Sequence, residues 1–165
     1  MHKISSQLCS NGMVLRSGGA NGADMAFEEG CDAVSGNKAI YLPWKGFNDN
    51  NSELYEVDKL ALGVAEYVYG IERWKLIKPS VKNLMARNIY QITGNKLINP
   101  TYSKFVVCYT PDGCENDKSR TRKTGGTGQA ISLASMLDIP VFNLKNDDAL
   151  SRINNEIEII NLFGD

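Results

Sequence analysis

A glycine-rich turn between two apolar segments constrains the fold of this 165-residue chain more than any other feature. Residues 124–144 read TGGTGQAISLASMLDIPVFNL, which predicts a turn, a helix of about three turns and a short buried strand from Pro140. Because Gly125, Gly126 and Gly128 have no Cβ, the backbone there can adopt unusual φ/ψ values and approach a ligand closely. The first N–H groups of a helix lack partners and carry partial positive charge, so this turn suits an anion such as phosphate.

A second segment repeats the order of strand, glycine turn and helix. Residues 13–15 (MVL) predict a short strand, residues 16–24 (RSGGANGAD) predict a turn, and a helix is expected over residues 23–34. Open α/β sheets bind ligands beyond the carboxyl ends of their strands, where such turns stand. The repetition favours a phosphate- or nucleotide-binding function over two tight turns without a ligand.

The remaining segments complete a single domain over residues 1–165. Apolar spacing predicts further helices and strands: the helices are residues 3–11, 54–69, 80–93 and 147–162, and the strands are residues 38–42 and 104–110. In the helix over residues 80–93, Asn88 lies within the apolar stripe and is expected to be buried. Arg87 is expected to point away from that stripe, toward solvent or a cleft.

Composition excludes several classes of protein. The net charge of −1 argues against a surface that binds long nucleic acid without specificity. The four cysteines are scattered without a Cys-x-x-Cys pair and the only histidine is His2, so a structural zinc site, a disulfide framework and a histidine-based nucleophile are not expected. No apolar run approaches the ~20 residues of a membrane span. We expect a cytoplasmic protein with no metal.

Motifs spread over residues 15–144 resemble a known superfamily. Residues 15–28 (LRSGGANGADMAFE) resemble the second glycine motif of the Rossmann-like superfamily that joins the DNA-processing protein Smf/DprA to the LOG phosphoribohydrolases, often called SLOG. Residues 86–91 (ARNIYQ) and 126–130 (GTGQA) are similar to a branch from phages and bacteria described as nucleotide-binding, and residues 141–144 (VFNL) complete the match. The resemblance implies a Rossmann-like three-layer sandwich with a mostly parallel sheet and a nucleotide or phosphoribosyl ligand.

The chain departs from that family at its start. Relatives begin with a strand and a Gly-Ser-Arg turn ahead of the first helix, whereas this chain begins at Met1 inside the expected position of that helix. The resemblance therefore implies a sheet that lacks the usual first strand. An open sheet edge invites pairing with another chain, so we expect a homo-oligomer. The alternative is that residues 13–17 pair with residues 104–110 and close the gap within a monomer.

A second departure concerns catalysis. The LOG enzymes carry a glutamate on the helix after their glycine turn, and aligning residues 125–128 on that turn places Ser132 at the glutamate position. Serine cannot act as a carboxylate base or stabilise an oxocarbenium ion. No catalytic residue is therefore assigned, although Asp24, Glu28 or Asp112 could substitute for the glutamate.

Three functions remain open. In the leading hypothesis the protein binds a nucleotide and senses, sequesters or carries it. In the second it cleaves or transfers a group at a nucleoside N-glycosidic bond. The third, by analogy with Smf/DprA, is single-stranded DNA binding. A basic loop before the second turn (Lys118, Arg120, Arg122 and Lys123) is either a lid that neutralises phosphate or a set of solvated charges. The residues expected to bind ligand lie in the two turns, in the arginine motif and after the strand at residues 104–110: Arg16, Ser17, Gly18, Gly19, Ala20, Gly22, Ala23, Asp24, Arg87, Asn88, Thr110, Gly125, Gly126, Thr127, Gly128 and Gln129.

Overall fold

A computed structural model describes residues 1–163 of the chain and shows an α/β protein. The residues form two compact units, Met1–Ser103 and Lys104–Asp165. The first unit contains α1 (His2–Ser10), β1 (Leu15–Ser17), α2 (Ala23–Asp32), β2 (Lys38–Ile40), α3 (Lys59–Tyr69), α4 (Ile71–Trp74) and α5 (Pro79–Thr93). The second contains β3 (Val106–Cys108), α6 (Thr127–Met136), β4 (Val141–Asn143) and α7 (Ala149–Phe163).

Among residues 1–163, each unit contains one pair of parallel strands. In the first unit Leu15 pairs with Lys38 and Ser17 with Ile40; in the second Val106 pairs with Val141. Parallel neighbours need a crossover rather than a hairpin, and the crossover contains α2 in the first unit and α6 in the second. The α/β class, the parallel pairing and the repeated order of strand, turn and helix are thus confirmed. The three-layer sandwich and the single domain stay predictions.

The third helix begins later than its apolar spacing predicts. It starts at Lys59 rather than at residue 54, because Asp58 has an extended backbone and its side chain accepts a hydrogen bond from the amide of Ala61 at 2.7 Å. Such an N-terminal cap satisfies an amide that has no partner within the helix. The carbonyl of Leu54 accepts from the amide of Leu42 at 2.7 Å, so this part of the predicted helix runs alongside the chain that follows β2.

The expected burial of two neighbouring residues on α5 is wrong. Arg87 is buried, with 6% of its surface exposed, whereas Asn88 is only half-buried. The stripe predicted from apolar spacing is too narrow, because the C-terminal half of α5 is buried on several faces, Ile89, Tyr90 and Thr93 included. Burial of the Arg87 guanidinium is possible because the carboxylate of Asp24 lies 3.3 Å from it.

Small and polar side chains bring α1 and α2 close together. The hydroxyl of Ser5 donates to the carbonyl of Phe27 at 2.5 Å, and that of Ser6 donates to the carbonyl of Gly30 at 2.7 Å. A Cβ on Gly30 would stand 2.2 Å from the carbonyl oxygen of His2, so only glycine permits this approach. The first helix is therefore held by interhelical hydrogen bonds as well as by its apolar side chains.

The core of the second unit is built around α6. Every residue of this helix from Gly128 to Ala134 is buried, and Ile153 of α7 and Phe142 of β4 are buried as well. The rings of Phe105 and Phe142 meet at nearly a right angle with centroids 5.6 Å apart, a favourable aromatic geometry. Among residues 1–163, no helix has the length and apolar composition needed to cross a membrane.

Candidate functional site

The first glycine turn is packed by other parts of its own unit. Ser17, Gly18 and Gly19 are buried. A Cβ on Gly18 would stand 1.1 Å from Nη1 of Arg87, so the guanidinium takes the space of a side chain there. The amide of Gly18 donates to the side-chain oxygen of Gln91 at 2.7 Å, in the amide orientation that satisfies both groups. A side chain at position 18 would therefore displace the Arg87 guanidinium from this place.

Two further glycines of this turn have left-handed backbone. Gly19 has φ of +65° and Gly22 has φ of +91°, values that residues with a Cβ rarely adopt. The carbonyl of Gly19 accepts from the side-chain amide of Asn48 at 3.0 Å. Gly22 is exposed and has open space where a Cβ would stand. The exposed part of the turn is thus Asn21 and Gly22, ahead of α2.

Arg87 and Asp24 connect α5 to the start of α2. Nη1 of Arg87 lies 3.3 Å from Oδ2 of Asp24 and donates to the side-chain oxygen of Gln91 at 2.7 Å. Its Nε is buried without a hydrogen-bond partner among the described residues. Burial lowers the pKa of the Arg87 guanidinium, and the neighbouring Asp24 carboxylate opposes that shift. Asp24 also accepts from the amide of Ala20 at 3.2 Å, so it closes the turn as well as pairing with the arginine.

Arg16, in β1, is directed to a different partner. Its Nη2 donates to the hydroxyl of Thr101 at 2.8 Å, and its Nη1 donates to the carbonyl of the same residue. Arg16 therefore holds the segment after α5. No contact between its guanidinium and the first turn is seen among the described residues.

A polar cleft of about 430 Å³ lies in the loop between β2 and α3. Asn50 connects it to α2, since its side-chain amide donates to Oε1 of Glu28 at 3.2 Å. Glu28 also forms an ion pair with Lys38 at 3.0 Å. The sequence shows this loop only as a polar segment, so the cleft was not predicted. Its lining residues are Lys45, Gly46, Asn50, Asn51, Ser52, Glu53 and Tyr55.

The second glycine turn is open. Gly125 and Gly126 are exposed, and among the described residues no atom beyond those adjoining in the chain lies within 4 Å of where a Cβ on either would stand. Gly125 has φ of +61°, which favours glycine, whereas Gly126 has an ordinary helical backbone. Gly128 is buried, and a Cβ there would stand 2.8 Å from Nε of Arg120. The turn therefore leaves the backbone at residues 125–126 accessible directly before α6.

Three threonine hydroxyls hold the loop before this turn to one carboxylate. Asp112 accepts from the hydroxyls of Thr121 at 2.5 Å, Thr124 at 2.6 Å and Thr110 at 2.7 Å. These hydrogen bonds stabilise the charged form and hold the pKa of Asp112 well below its usual range. Thr110 also accepts from the side-chain amide of Asn143 at 2.6 Å, which connects the loop to β4. Asp112 is thus positioned as an acceptor that orders the loop.

Ser132 joins one acidic and one basic residue of the same loop. It is fully buried and donates to Oδ1 of Asp117 at 2.5 Å, while Nη1 of Arg120 donates to its hydroxyl at 2.6 Å. The Asp117 carboxylate and the Arg120 guanidinium are also 3.5 Å apart. The other cations of the basic loop (Lys118, Arg122 and Lys123) are exposed.

The structure brings together most of the expected residues within each unit. Arg87 contacts Gly18 and Asp24 in the first turn, and Thr110 reaches the second turn through Asp112 and Thr124. Gln129 is buried in α6 beneath the second turn, and Asn88 is half-buried on α5. Gln91, Asp117 and Asn48 were not predicted as site residues. Gln91 closes the six-residue motif around Arg87, so the motif itself contained a signal for it.

In comparisons with known proteins, no family model, curated protein or solved structure matches the chain. Membership of the SLOG superfamily therefore stays a prediction from the sequence motifs.

Proposed function

We propose that this protein binds a nucleotide or a nucleotide-derived small molecule, with a phosphate group held by the backbone at residues 125–127. The observation that carries the proposal is the exposed, unobstructed backbone of Gly125 and Gly126 at the N-terminal end of the ten-residue helix α6. Free amides and the helix dipole attract an anion at such an end. The same proposal includes a Rossmann-like three-layer arrangement, in which turns of this kind face the ligand.

Positive charge near the second turn supports this assignment. Arg122 and Lys123 form the last turn of the short 3-10 helix that ends at Thr124, and both side chains are exposed. Arg120 is already engaged by Ser132 and Asp117. We therefore assign phosphate neutralisation to Arg122 and Lys123, and the ordering of the loop to Arg120.

The first turn is largely engaged by residues of its own unit. The amide of Gly18 is bonded to Gln91 and that of Ala20 to Asp24, so two of its donors already have partners. The exposed Asn21 and Gly22 remain accessible to a ligand. We propose that Arg87 and Asp24 hold the shape of this turn within the first unit.

The contacts of the candidate catalytic carboxylates favour ligand binding without turnover over hydrolysis. Asp24 pairs with Arg87, Glu28 pairs with Lys38, and Asp112 accepts three threonine hydroxyls. A general acid or base must be able to exchange a proton with the substrate. Each of these three groups instead has a structural role.

One observation favours a second candidate function, cleavage of an N-glycosidic bond. Oδ1 of Asp117 lies 2.5 Å from the hydroxyl of Ser132, the residue aligned with the glutamate of the LOG enzymes, and Arg120 lies beside both. A carboxylate and a guanidinium are therefore present next to that position. Incubation with AMP, followed by chromatography for released adenine, tests this candidate. Release that is lost in Asp117→Asn supports it, and intact AMP excludes AMP as its substrate.

The leading proposal is tested by calorimetric titration of the purified chain with AMP and NAD and by mass spectrometry of co-purified small molecules. The test variant is Gly126→Val, which places a branched side chain over the turn. Ser151→Val is the matched control, because Ser151 is also exposed on a helix but lies in α7. Binding lost only in Gly126→Val supports the proposal, and equal affinity in both variants contradicts it. Titration with a single-stranded oligonucleotide at two salt concentrations tests the DNA-binding alternative.

We also propose that the chain forms a homodimer through α3. Leu60 and Tyr67 expose 49% and 74% of their surfaces on this helix, and Gly63 between them leaves room for a close approach. Lys59 and Glu66 flank the same face, so an antiparallel pair of copies would bring opposite charges together. Light scattering at micromolar concentration should give twice the 18.2 kDa monomer mass, and Tyr67→Glu should restore the monomer. A monomer in the unmodified chain contradicts the proposal.

A further inference from the structure

Two cysteine sulfurs meet between α1 and α2, at the ends distant from the first glycine turn. Sγ of Cys9 lies 2.8 Å from Sγ of Cys31, although the two residues are 22 positions apart in sequence. Both are free thiols. A disulfide has a sulfur–sulfur length of about 2.0 Å, so a shift of less than one ångström would join them.

Gly36 makes room for this thiol pair. A Cβ at position 36 would stand 2.5 Å from Cβ of Cys9 and 2.8 Å from Sγ of Cys31. The backbone of Gly36 is also fixed to α2, because its amide donates to the carbonyl of Cys31 at 2.9 Å. Any larger residue at position 36 would push Cys9 away from Cys31.

The two thiols differ in their access to solvent. Cys9 is half-buried, so a small oxidant can reach it, whereas Cys31 is fully buried. Burial, reinforced by the contact with Cys9, raises the pKa of the Cys31 thiol to about 12. Cys31 is thus a buried thiol in contact with Cys9. A solvent-accessible thiol beside a second thiol is the arrangement in which the first is oxidised and the second resolves it.

We propose that Cys9 and Cys31 form a peroxide-sensitive dithiol that closes to an intramolecular disulfide between α1 and α2. In the first step the Cys9 sulfur attacks hydrogen peroxide: an S–O bond forms, the O–O bond breaks, and the products are a sulfenic acid and water. In the second step the Cys31 sulfur attacks the Cys9 sulfur, and hydroxide leaves with the Cys31 proton as water. One peroxide is thus reduced to two waters while two thiols are oxidised.

The disulfide would stabilise the first unit. It would close the segment between residues 9 and 31 and restrict the unfolded chain, which is the main way in which a cross-link stabilises a protein. That segment contains β1 and the first glycine turn. Oxidation is therefore expected to raise the melting temperature of the chain, and reduction by dithiothreitol is expected to reverse the rise.

The test uses the full chain, treated with hydrogen peroxide, alkylated with iodoacetamide and digested with trypsin without reduction. The expected product is a disulfide that joins the tryptic peptides of residues 4–16 and 17–38, with Cys108 and Cys114 alkylated. Cys9→Ser and Cys31→Ser should abolish the linked peptide and the rise in melting temperature. Cys114→Ser is the matched control and should keep both, because the Cys114 thiol donates to the carbonyl of Asn116 at 3.2 Å and has no part in the pair.

The variant Gly36→Ala tests the geometry. Its added Cβ should slow disulfide formation at least several-fold, while the number of thiols that react with iodoacetamide in the unfolded chain stays at four. Three results would overturn the proposal: no linked peptide in the unmodified chain under excess peroxide, a disulfide between two copies of the chain, or an equal rate of linkage in Gly36→Ala. The peptide map of the unmodified chain gives this answer even where a variant fails to fold.

Discussion

Nη1 of Arg87 lies 1.1 Å from the position that a Cβ on Gly18 would occupy, so the arginine of α5 and the glycine of the first turn fit each other directly. The guanidinium is buried there and is held by Asp24 and Gln91. This contact gives Gly18 a packing role. It also explains why a charged residue is buried in the first unit, since the pair with Asp24 offsets part of the desolvation cost.

Gly18→Ala is expected to destabilise the first unit. The new methyl group would displace the Arg87 guanidinium from Asp24 and Gln91 and leave buried polar groups without partners, which costs about 1–3 kcal/mol. Urea denaturation measures the effect. Gly126→Ala is the control, because Gly126 has helical backbone and open space at its Cβ position, and replacing glycine there should be neutral or slightly stabilising. Equal stabilities of the two variants would show that Arg87 adapts without cost.

Arg87→Met should lower stability even in the absence of any ligand. The substitution removes the partner of Asp24, whose side chain is 28% exposed and can recover some hydration, so we expect a loss of about 1–3 kcal/mol. Arg73→Met on α4 is the control, because that arginine is exposed. A melting temperature of Arg87→Met equal to that of the control would mean that the buried ion pair contributes nothing to folding.

The local elements of the fold are visible in the sequence because short-range signals specify them. Pro79 marks the start of α5 and Gly94, with φ of +72°, marks its end, as the turn-forming properties of these residues predict. The two glycine turns were recognised for the same reason. The strand ends and the start of α3 lie a few residues from their predicted positions, since caps such as Asp58 compete with apolar spacing.

Contacts between distant residues were not predictable from spacing. The burial of Arg87 depends on Asp24, which lies 63 positions earlier, and the thiol pair of Cys9 and Cys31 depends on how α1 packs on α2. Helical periodicity gives the face on which a side chain lies but not the group opposite it. Asp112 likewise joins the nearby Thr110 to Thr121 and Thr124, a capping pair nine and twelve positions later, and apolar spacing does not predict that contact.

Ser132→Ala should loosen the loop before the second glycine turn. The change removes the hydroxyl that donates to Asp117 and accepts from Arg120, and the loss of these hydrogen bonds should cost about 1 kcal/mol because both partners can rehydrate in part. Amide hydrogen exchange is expected to rise in residues 117–124 and to stay unchanged in α7. Ser151→Ala, which alters an exposed serine in α7, is the control. If Ser132→Ala leaves amide exchange in residues 117–124 unchanged, the ion pair of Asp117 and Arg120 is sufficient to hold the loop.

Asp112 should make the second unit sensitive to acid. Hydrogen bonds from Thr121, Thr124 and Thr110 keep the pKa of its carboxyl below the usual value in the folded state. A carboxyl whose pKa is lower in the folded than in the unfolded chain stabilises the folded state at pH values above its unfolded pKa of about 3.9. This stabilisation is lost as the pH falls toward the folded pKa. Asp112→Asn should therefore unfold at a lower urea concentration at pH 7.

The pH dependence separates this effect from a general loss of packing. In the unmodified chain, the contribution of the Asp112 carboxylate to the free energy of unfolding should fall progressively below about pH 4. The Asp112→Asn variant lacks this contribution at every pH. The difference in urea midpoint between the two proteins, followed by circular dichroism, should shrink as the pH falls. Asp147→Asn provides the control, since Asp147 is exposed at the start of the segment that leads into α7. A difference between Asp112→Asn and the unmodified chain that stays constant down to pH 2.5 would mean that the hydroxyl cluster acts through geometry alone and not through the charge on Asp112.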